Sequence, residues 1–462
     1  MMTFDSIRSV YFLGAGGIGM SALARYFKAM GKKVGGYDKT PTVLTKELIN
    51  EGISIHFNDD IASVEVEFKD PGSTLIVLTP AIPKGHGEWD YFRQNGFEIM
   101  KRSQVLGLIT KDAFTVAVAG THGKTTTSSL IAHLIRHAGI PCTAFLGGIS
   151  KNYDTNLLIG KEHEGRHIVV VEADEYDRSF LTLFPDVAVV TSMDPDHLDI
   201  YGSDQEMKST YLQFIGQIKE SGLLVIRSGL PTGHPVCRHT DYSVRGPSKQ
   251  HAAAISIKDH RYHFDWSDGL ITFKDLTTGL PGEHNVENAI AAITVVRSLG
   301  IPENVIRQGL ATYTGVRRRF DYQVQNDRCV YIDDYAHHPE ELKACIRSAR
   351  DLYPGKKITG IFQPHLFTRT RDFAEGFAES LSMLDRLYLL DIYPARELPI
   401  PGVTSAMLLD HITCKEKKVC TPAEAVSLVT SELPEVLLTL GAGDIDQLVQ
   451  PIRESLEKSL GQ

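Results

Sequence analysis

The sequence predicts an α/β protein that is divided into three domains, each built around a mainly parallel sheet. Short runs of β-branched residues alternate with helical patterns along the chain, and this alternation is typical of β-α-β units. The chain has 462 residues, and a typical domain of about 150 residues makes three domains the expected number. We place the boundaries near residues 113 and 315, which gives domains 1–113, 114–314 and 315–462.

Composition and charge exclude several classes of protein. There are 48 basic and 57 acidic residues, so a nucleic-acid partner is not expected. None of the six cysteines belongs to a C-x-x-C pair, which argues against a zinc site and a disulfide framework. The N-terminus lacks the pattern of a signal peptide, and no apolar stretch reaches the roughly 18 residues of a membrane span. We expect a cytoplasmic chain without membrane insertion, present as a monomer or a homodimer.

The first domain is predicted to be Rossmann-like. Strands are expected in SVYFLG, KKVGGYD, TLIVLT and FEIM, with a helix from Met20 to Met30. Between the first strand and this helix, GAGGIG (14–19) matches G-x-G-x-x-G. Glycines there permit a tight turn and let backbone amides approach a pyrophosphate at the helix N-terminus. Asp38 ends the next strand, where a carboxylate can bind a ribose hydroxyl. The alternative is a glycine-rich turn that binds nothing.

The second domain is predicted to be P-loop ATPase-like. Its first strand, FTVAVAG, leads into THGKTTTSSL, which is close to the Walker A pattern although Val118 replaces the first glycine. In such a loop the backbone amides surround the phosphates. Lys124 supplies a positive charge and Thr125 offers a hydroxyl to Mg²⁺. The alternative is a helix N-terminus that merely carries a lysine.

Acidic residues follow the next predicted strands of this domain. HIVVVE ends in Glu172, and DVAVVTS is followed by a loop that contains His197. A carboxylate at the end of a strand beside a phosphate loop is in the expected place for a Mg²⁺ ligand. A solvated acidic turn is the alternative. GLLVI continues the sheet, and AAAISI, RYHFDW and LITFKD alternate like antiparallel strands.

The third domain is again predicted to be Rossmann-like. Its strands are expected in CVYIDD, KITGIFQ, RLYLLD and VLLTLGAGD. Ligands of open parallel sheets bind outside the carboxyl ends of the strands, so the polar residues there are candidates for a site. They are Asp333, Asp334, His337, His338, His365, Arg369, Asp391, Tyr393, Arg396, Gly441, Gly443 and Asp444.

These motifs resemble those of the Mur ligases over essentially the whole chain, and within that family the branch that adds L-alanine. The matching segments are GAGGIGMSALA (14–24), AGTHGKTTT (119–127), VEADEYDRSF (171–180), DPDHLDIY (194–201), PGEHNVENAIAA (281–292), GVRRRFD (315–321), DDYAHHP (333–339) and FQPHLFTRTRD (362–372). The resemblance implies ATP-dependent, ADP-forming ligation of L-alanine to the lactyl carboxylate of UDP-N-acetylmuramate through an acyl phosphate, in peptidoglycan precursor synthesis. It also implies Mg²⁺, as two ions, with Mn²⁺ able to substitute.

The resemblance implies a role for each matching residue. The UDP-sugar is expected at Gly14, Ala15, Gly16, Gly17, Ile18, Gly19, Asp38, Thr79, Ala81 and Ile82. ATP is expected at Gly120, Thr121, His122, Gly123, Lys124, Thr125, Thr126, Asn285, Asn288, Arg318, Arg319, Asp333 and Asp334. The amino acid is expected at His338, His365 and Arg369, and metal ions at Thr125, Glu172 and His197. The catalytic residues implied are Lys124, His197, His338 and Arg369.

Several alternatives remain open at the level of sequence. A murein tripeptide ligase would act on the same sugar nucleotide. A folate-type polyglutamate ligase would lack the first glycine loop, a nicotinamide-dependent dehydrogenase would not explain GTHGKT, and a sugar-nucleotide sensor would explain the first domain alone. Either arginine of 318–319 and either aspartate of 333–334 could reach ATP. Leu366 stands where the family often has an arginine, so the clamp on the amino-acid carboxylate is expected to have one arm fewer.

Overall fold

A computed structural model describes residues 6–160, 167–196, 198–395 and 397–461. The chain forms two compact units, and neither is a single continuous segment. The first unit consists of residues 1–251, 268–270 and 288–309. The second consists of residues 252–267, 271–287 and 310–462.

The first unit begins with a five-stranded parallel sheet in the order β3-β2-β1-β4-β5. Its strands are β1 (Ser9–Leu13), β2 (Lys33–Tyr37), β3 (Ser54–His56), β4 (Thr74–Leu78) and β5 (Glu98–Lys101). Its helices are α1 (Ile18–Ala29), α2 (Val43–Asn50), α3 (Gly87–Gln94) and α4 (Arg102–Thr110). The strand order reverses at β1, and ligands of doubly wound sheets bind at such a switch point.

The first unit also contains a second sheet, in the order β8-β7-β9-β6-β10-β11-β12 and the start of β13. Its strands are β6 (Phe114–Ala119), β7 (Cys142–Ser150), β8 (Thr155–Leu158), β9 (Ile168–Ala173), β10 (Val187–Val190), β11 (Leu223–Arg227), β12 (Arg238–Ser243) and β13 (Gln250–Lys258). All neighbouring pairs here are parallel except β7 with β8. Its helices are α5 (Lys124–His137), α6 (Leu198–Tyr201) and α7 (Asp204–Gly216).

One hydrophobic core joins the two sheets of the first unit. Helix α1 packs against β7 and β8 as well as against its own sheet. Strand β6 is nearly continuous in apolar residues because both of its faces are buried. Two further helices, α8 (Glu283–Ser298) and α9 (Glu303–Thr312), contribute residues to both units.

The second unit contains the antiparallel pair β14 (Arg261–Ser267) and β15 (Thr272–Thr278) and a six-stranded sheet. That sheet has the order β16-β17-β21-β18-β19-β20 and is parallel except for β16 with β17. Its strands are β16 (Asp321–Gln325), β17 (Val330–Asp334), β18 (Ile358–Phe362), β19 (Arg386–Leu389), β20 (Glu416–Val419) and β21 (Val436–Leu440). Its helices are α10 (Pro339–Leu352), α11 (Phe367–Asp372), α12 (Ala374–Leu381), α13 (Ser405–Leu409), α14 (Pro422–Glu432) and α15 (Val449–Leu460).

All six cysteines are buried and unpaired: Cys142, Cys237, Cys329, Cys345, Cys414 and Cys420. None of the helices in the described part of the chain combines the length and the apolar character needed to cross a lipid bilayer.

Candidate functional site

The first glycine loop lies at the carboxyl end of β1. Gly14 has φ +92°, and a Cβ there would lie 2.3 Å from Cγ2 of Thr79, so the turn requires glycine. Thr79 and Ile82 lie against Gly14, whereas Ala81 is exposed beside them. Gly17 is the N-cap of α1 and has no side chain to cover the first-turn amides. This helix N-terminus is therefore suited to an anion.

Asp38 holds the loop in shape. Its Oδ2 accepts the amide of Gly16 at 2.7 Å, and its Oδ1 accepts the amide of Thr40 at 3.1 Å. A Cβ on Gly16 would meet both Thr45 and Asp38, at 2.7 and 2.9 Å. Asp38, which the sequence predicts to bind a ribose, thus orients the backbone of the first glycine loop.

The second glycine loop joins β6 to α5. Gly120 has φ +134°, and a Cβ there would lie 2.0 Å from Oγ1 of Thr191. Gly123 has φ +82°, and its Cβ would lie 2.7 Å from Oδ1 of the buried Asn288. Both glycines are therefore fixed by conformation and by a close neighbour, as a loop that wraps phosphates requires.

The segment after β10 forms hydrogen bonds with this loop. The Thr121 hydroxyl donates to the carbonyl of Asp194 at 2.7 Å, and the amide of His122 donates to the Ser192 hydroxyl at 2.8 Å. Thr126 is buried in the first turn of α5. The predicted loop residues are thus brought together on one scaffold.

Lys124 is held by a carboxylate that the sequence did not single out as its partner. Its ammonium donates to both oxygens of Glu175, at 2.9 and 2.7 Å, and to the carbonyl of Gly120 at 2.6 Å. Burial alone would lower the pKa of Lys124, but the attraction of Glu175 and Asp174 outweighs it and raises the pKa above its usual value. Lys124 is therefore positively charged at neutral pH.

Glu172 lies next to the start of α5. Its Oε1 accepts the amide of Gly147 at 2.7 Å, and its oxygens lie 3.3 Å from the Thr125 hydroxyl and 3.4 Å from the Ser128 hydroxyl. Carboxylate and hydroxyl oxygens are the ligands that Mg²⁺ prefers. Among the described residues no group of three or more potential metal-binding side chains is preassembled, and His197 lies outside the described residues.

In the second unit, Asp333 and Asp334 lie at the carboxyl end of β17. Burial raises the pKa of each carboxyl to about 6. Asp333 accepts the Thr439 hydroxyl at 2.7 Å and lies 3.3 Å from Nε of Arg318. Asp334 accepts the amides of Phe320 and of Ala336, at 2.7 and 2.8 Å. Both aspartates therefore fix the turn that contains the paired arginines.

The two arginines of that turn share one aromatic ring. Arg318 and Arg319 each lie about 5 Å from the ring centre of Tyr335, and Arg318 also donates to the carbonyl of Gly441 at 2.7 Å. Asn285 is buried and donates to the carbonyl of Pro281 at 2.6 Å.

The histidines after β17 occupy different environments. His338 is buried, caps α10 by accepting the amide of Glu340, and packs against Phe373 at 4.8 Å between ring centres. The ring of His337 lies 6.1 Å from that of His365. The resemblance assigns the amino acid to His338 and not to His337, and sequence alone does not show which of the two adjacent histidines faces His365.

His365 and Arg369, both predicted to bind the amino acid, lie close together. Nη1 of the buried Arg369 lies 3.5 Å from Nδ1 of His365, and the His365 ring stacks on Tyr393 at 5.6 Å. Leu366 precedes α11 with φ +70°, an unusual conformation for leucine. This strained residue lies between His365 and the helix that contains Arg369, and backbone strain is common at functional sites.

Three family models match successive parts of the chain. They are described as Mur ligase family, catalytic domain (residues 9–113), Mur ligase middle domain (118–296) and Mur ligase, glutamate ligase domain (318–443). The chain belongs to the Mur ligase family. This Mur ligase therefore has the predicted architecture of three α/β domains. The middle domain is divided between the two compact units, since residues 252–267 and 271–287 belong to the second.

Curated relatives match this Mur ligase over its full length. The UDP-N-acetylmuramate–L-alanine ligase of Flavobacterium johnsoniae is 48% identical over 99% of this chain and 100% of its own. The enzyme of the same name from Parabacteroides distasonis is 49% identical over 99% of both chains. Among solved structures, the UDP-N-acetylmuramate–alanine ligase from Thermotoga maritima superposes with a TM-score of 0.83 at 27% identity, covering 98% and 99% of the two chains.

Proposed function

We propose that this chain joins L-alanine to the lactyl carboxylate of UDP-N-acetylmuramate, with ATP converted to ADP and phosphate, in the synthesis of peptidoglycan precursors. The observation that carries the proposal is full-length identity of 48% and 49% to curated ligases of that specificity. The two separate anion-binding loops support it, because a sugar nucleotide and ATP each require one. We place the reaction in the cytoplasm, which suits six unpaired thiols.

In this proposal the first loop holds the diphosphate of the sugar nucleotide. The uncovered first turn of α1 and the glycines at 14, 16 and 19 give backbone amides close access to it. Asp38 orients the loop through the Gly16 amide. Thr79 and Ile82, which lie beside Gly14, border the same ligand, and Ala81 between them is assigned to it as well.

ATP binds in this proposal at the second loop, Gly120–Thr126. The Lys124 ammonium moves from Glu175 to the β- and γ-phosphates, where its charge stabilises the phosphoryl group in transfer. Thr125 and Glu172 provide the oxygens for Mg²⁺, and His197 is assigned with them to two ions that Mn²⁺ can replace. Bound there, the metal neutralises phosphate charge. Asn288 lies at Gly123, and Asn285, Arg318 or Arg319, and Asp333 or Asp334 are assigned to ATP in the second unit.

L-alanine binds in this proposal at His365 and Arg369. A guanidinium is planar and suits a carboxylate, with which it forms charge-assisted hydrogen bonds. His337 faces His365, which makes it a better placed candidate for the amino acid than His338. His338, which caps α10 and packs on Phe373, supports the loop in this arrangement.

The reaction proceeds in two steps. A lactyl carboxylate oxygen attacks the γ-phosphorus of ATP, the bond to ADP breaks, and an acyl phosphate forms. The free amine of L-alanine then attacks the acyl carbon, an amide forms, and inorganic phosphate leaves with the former carboxylate oxygen. Phosphorylation is required because a carboxylate is by itself a poor acyl donor.

The first experiment measures phosphate release with each substrate omitted in turn. We expect release only when ATP, UDP-N-acetylmuramate and L-alanine are all present. Replacing L-alanine by the murein tripeptide distinguishes the ligase from the related tripeptide ligase. Turnover with the tripeptide but not with L-alanine would contradict the proposed specificity.

The second experiment tests the acyl phosphate. The lactyl carboxylate is labelled with ¹⁸O, and the released phosphate is examined by mass spectrometry. One labelled oxygen is expected in the phosphate for each turnover. Label in AMP would indicate an adenylate, and unlabelled phosphate during amide formation would exclude the acyl phosphate.

A further inference from the structure

Two consecutive carboxylates after β9 each form an ion pair with a basic side chain that lies at a different glycine loop. Asp174 accepts Nη2 of Arg102 at 2.9 Å, and Glu175 accepts the ammonium of Lys124 at 2.7 Å. Arg102 is the first residue of α4, so it belongs to the predicted sugar-nucleotide domain. All four residues lie in the first compact unit.

Arg102 lies directly against the first glycine loop. A Cβ on Gly19 would be 2.9 Å from Nη1 and 3.3 Å from Cζ of Arg102, so the guanidinium covers the last glycine of the motif. Gly19 lies in the first turn of α1, where the backbone amides favour an anion. A permanent positive charge thus lies next to the proposed diphosphate site.

The ion pair leaves Arg102 free to change partner. The side chain of Arg102 is 23% exposed and that of Asp174 is 37% exposed, and a pair with this exposure stabilises the protein only weakly. A diphosphate offers a guanidinium two negative oxygens in a geometry that it binds well. Lys124 has the same arrangement at the second loop, where Glu175 takes the place of the nucleotide phosphates.

We propose that Arg102 binds the diphosphate of the sugar nucleotide and that Asp174 holds Arg102 at the first loop until the substrate displaces it. Arg102 is then a substrate-binding residue, whereas Asp174 is a positioning residue that acts through Arg102 and competes with the substrate. This inference rests on the proposed function, since it takes a uridine diphosphate sugar as the ligand of the first loop.

The experiment measures binding by calorimetry with the full-length enzyme, without turnover. Two probes are used, UDP and UDP-N-acetylmuramate. Arg102→Met is expected to raise the Kd of both about 10- to 100-fold, as expected for loss of a charged hydrogen bond. Asp174→Asn keeps an oxygen for the amide of Tyr176, which Asp174 accepts at 3.1 Å. It removes the competing charge and is expected to lower the Kd of both about 2- to 5-fold.

The neighbouring ion pair provides matched controls. Lys101 precedes Arg102 and lies 2.9 Å from Asp177. Lys101→Met and Asp177→Asn remove equivalent charges from the same two segments and should leave the Kd values within about 2-fold of the wild type. An effect of the controls as large as that of Arg102→Met would mean that overall charge, and not Arg102, determines binding.

The double variant tests whether Asp174 acts through Arg102. Asp174→Asn should have no effect on Kd in the Arg102→Met background, and a persisting effect would overturn the positioning role. Weaker binding by Asp174→Asn alone would also overturn it. A loss that appears with UDP-N-acetylmuramate but not with UDP would assign Arg102 to the lactyl carboxylate and overturn the diphosphate assignment. If the wild type binds neither probe, the proposed function itself fails.

Discussion

Gly147 leaves a space that the carboxylate of Glu172 occupies. A Cβ at residue 147 would lie 2.4 Å from Oε2 and 2.7 Å from the carboxyl carbon of Glu172. Gly147→Ala should therefore displace the carboxylate from the Thr125 hydroxyl. We expect kcat to fall about 10- to 100-fold, as for other substitutions next to a metal ligand. The measurement is kcat as a function of Mg²⁺ concentration.

The control for this prediction is another glycine in the first unit. Gly216 ends α7, and a Cβ there would have no neighbour within 4 Å. Gly216→Ala should leave kcat and its Mg²⁺ dependence unchanged. If Gly147→Ala has wild-type activity at low Mg²⁺, Glu172 does not support the metal as proposed.

Glu88 is the basis of a pH prediction. Its side chain is fully buried and accepts the Tyr11 hydroxyl at 2.7 Å, and burial raises its pKa from about 4.5 to about 7. The folded protein thus binds a proton between these two values that the unfolded chain releases. This contribution to stability is complete below about pH 4.5 and is lost as the pH rises to about 7. The loss is at most about 3.4 kcal/mol, at about 1.36 kcal/mol per pKa unit.

The comparison with Glu88→Gln isolates the contribution of Glu88 together with that of His56, whose Nε2 lies 3.4 Å from Oε1 of Glu88. Titrating groups that do not contact Glu88 affect both proteins alike. The free energy of unfolding of the wild type, relative to the variant, should decrease between pH 5 and pH 8. The measurement is urea unfolding of both proteins at pH 5 and at pH 8, with a signal that reports on the N-terminal sheet. A difference that stays constant or increases with pH would show that Glu88 is ionised in the folded protein.

Arg369 is expected to bind the amino-acid carboxylate. Arg369→Ala should raise KM for L-alanine about 10- to 100-fold, which corresponds to about 1.5–3 kcal/mol for a charged hydrogen bond. KM for ATP should change little. Arg371, two residues further along α11, is exposed and pairs with Asp372, so Arg371→Ala is the control. An equal rise in KM for ATP and L-alanine after Arg369→Ala would place Arg369 at the nucleotide.

The sequence allows the residues of the motifs to be identified, but it does not identify the residues that contact them. Lys124, Gly120 and Gly123 follow from local sequence because their roles depend on one turn and one helix start. Glu175, which holds Lys124, is 51 residues away along the chain. Gly147 was missed because its requirement comes from a side chain on another strand. Such pairings depend on strand order, which sequence periodicity does not give.

At the scale of the elements, one buried residue of the hairpin β7–β8 forms hydrogen bonds with helix α1. Asn156 on β8 donates to the carbonyl of Ile18 at 2.6 Å and to the Ser21 hydroxyl at 2.9 Å, and it accepts Arg25 at 2.5 Å. Asn156→Ala leaves these groups without their partner. We expect a loss of about 2 kcal/mol in the free energy of unfolding and weaker binding of UDP-N-acetylmuramate, because α1 begins at the first loop.

Calorimetric binding and urea unfolding test this prediction, with Asn95→Ala as the control. Asn95 is an exposed residue at the end of α3 and bonds only locally, to the carbonyl of Tyr91. An Asn156→Ala variant as stable as Asn95→Ala would show that apolar packing alone holds α1 against β7 and β8.

Strands with a strong apolar pattern were predicted to within about one residue at most ends. The buried strands β1, β4, β6, β9 and β21 are confirmed, because residues with both faces in a core must be apolar. The weakly patterned strands were missed. For example, all four residues of β20, EKKV, are exposed at a sheet edge, and β7 contains two glycines. Their pairing depends on neighbouring strands rather than on local propensity.

At the scale of the whole molecule, the second unit includes residues 252–267 and 271–287, which precede the predicted boundary near residue 315. Tyr262 donates to Asp351 at 3.2 Å, and Nδ1 of His260 lies 3.0 Å from the carbonyl of Leu352. A fragment of residues 315–462 would lack β14 and β15 and would expose this face of α10. We expect it to unfold at a lower temperature than a fragment of residues 252–462, which retains them.

The comparison of the two fragments by circular dichroism also tests the domain boundary that we propose near residue 315. Equal melting temperatures would show that the last domain is complete from residue 315. Melting of the longer fragment below the shorter one would show that its additional segments destabilise it when separated from the first unit.

The alkylation rates of the six buried cysteines would report how often parts of the enzyme open locally. Burial raises the pKa of Cys142 and Cys420, to about 12 and about 11, so these thiols stay protonated at neutral pH and react slowly with alkylating agents. Alkylation therefore requires a fluctuation that exposes the thiol. Cys142 lies on β7 and Cys345 on α10, and the other four cysteines lie within two residues of a strand end. Peptide mapping after brief alkylation would therefore rank these regions by their opening frequency. Repeating it with each substrate would show which segments that substrate closes, without an introduced label.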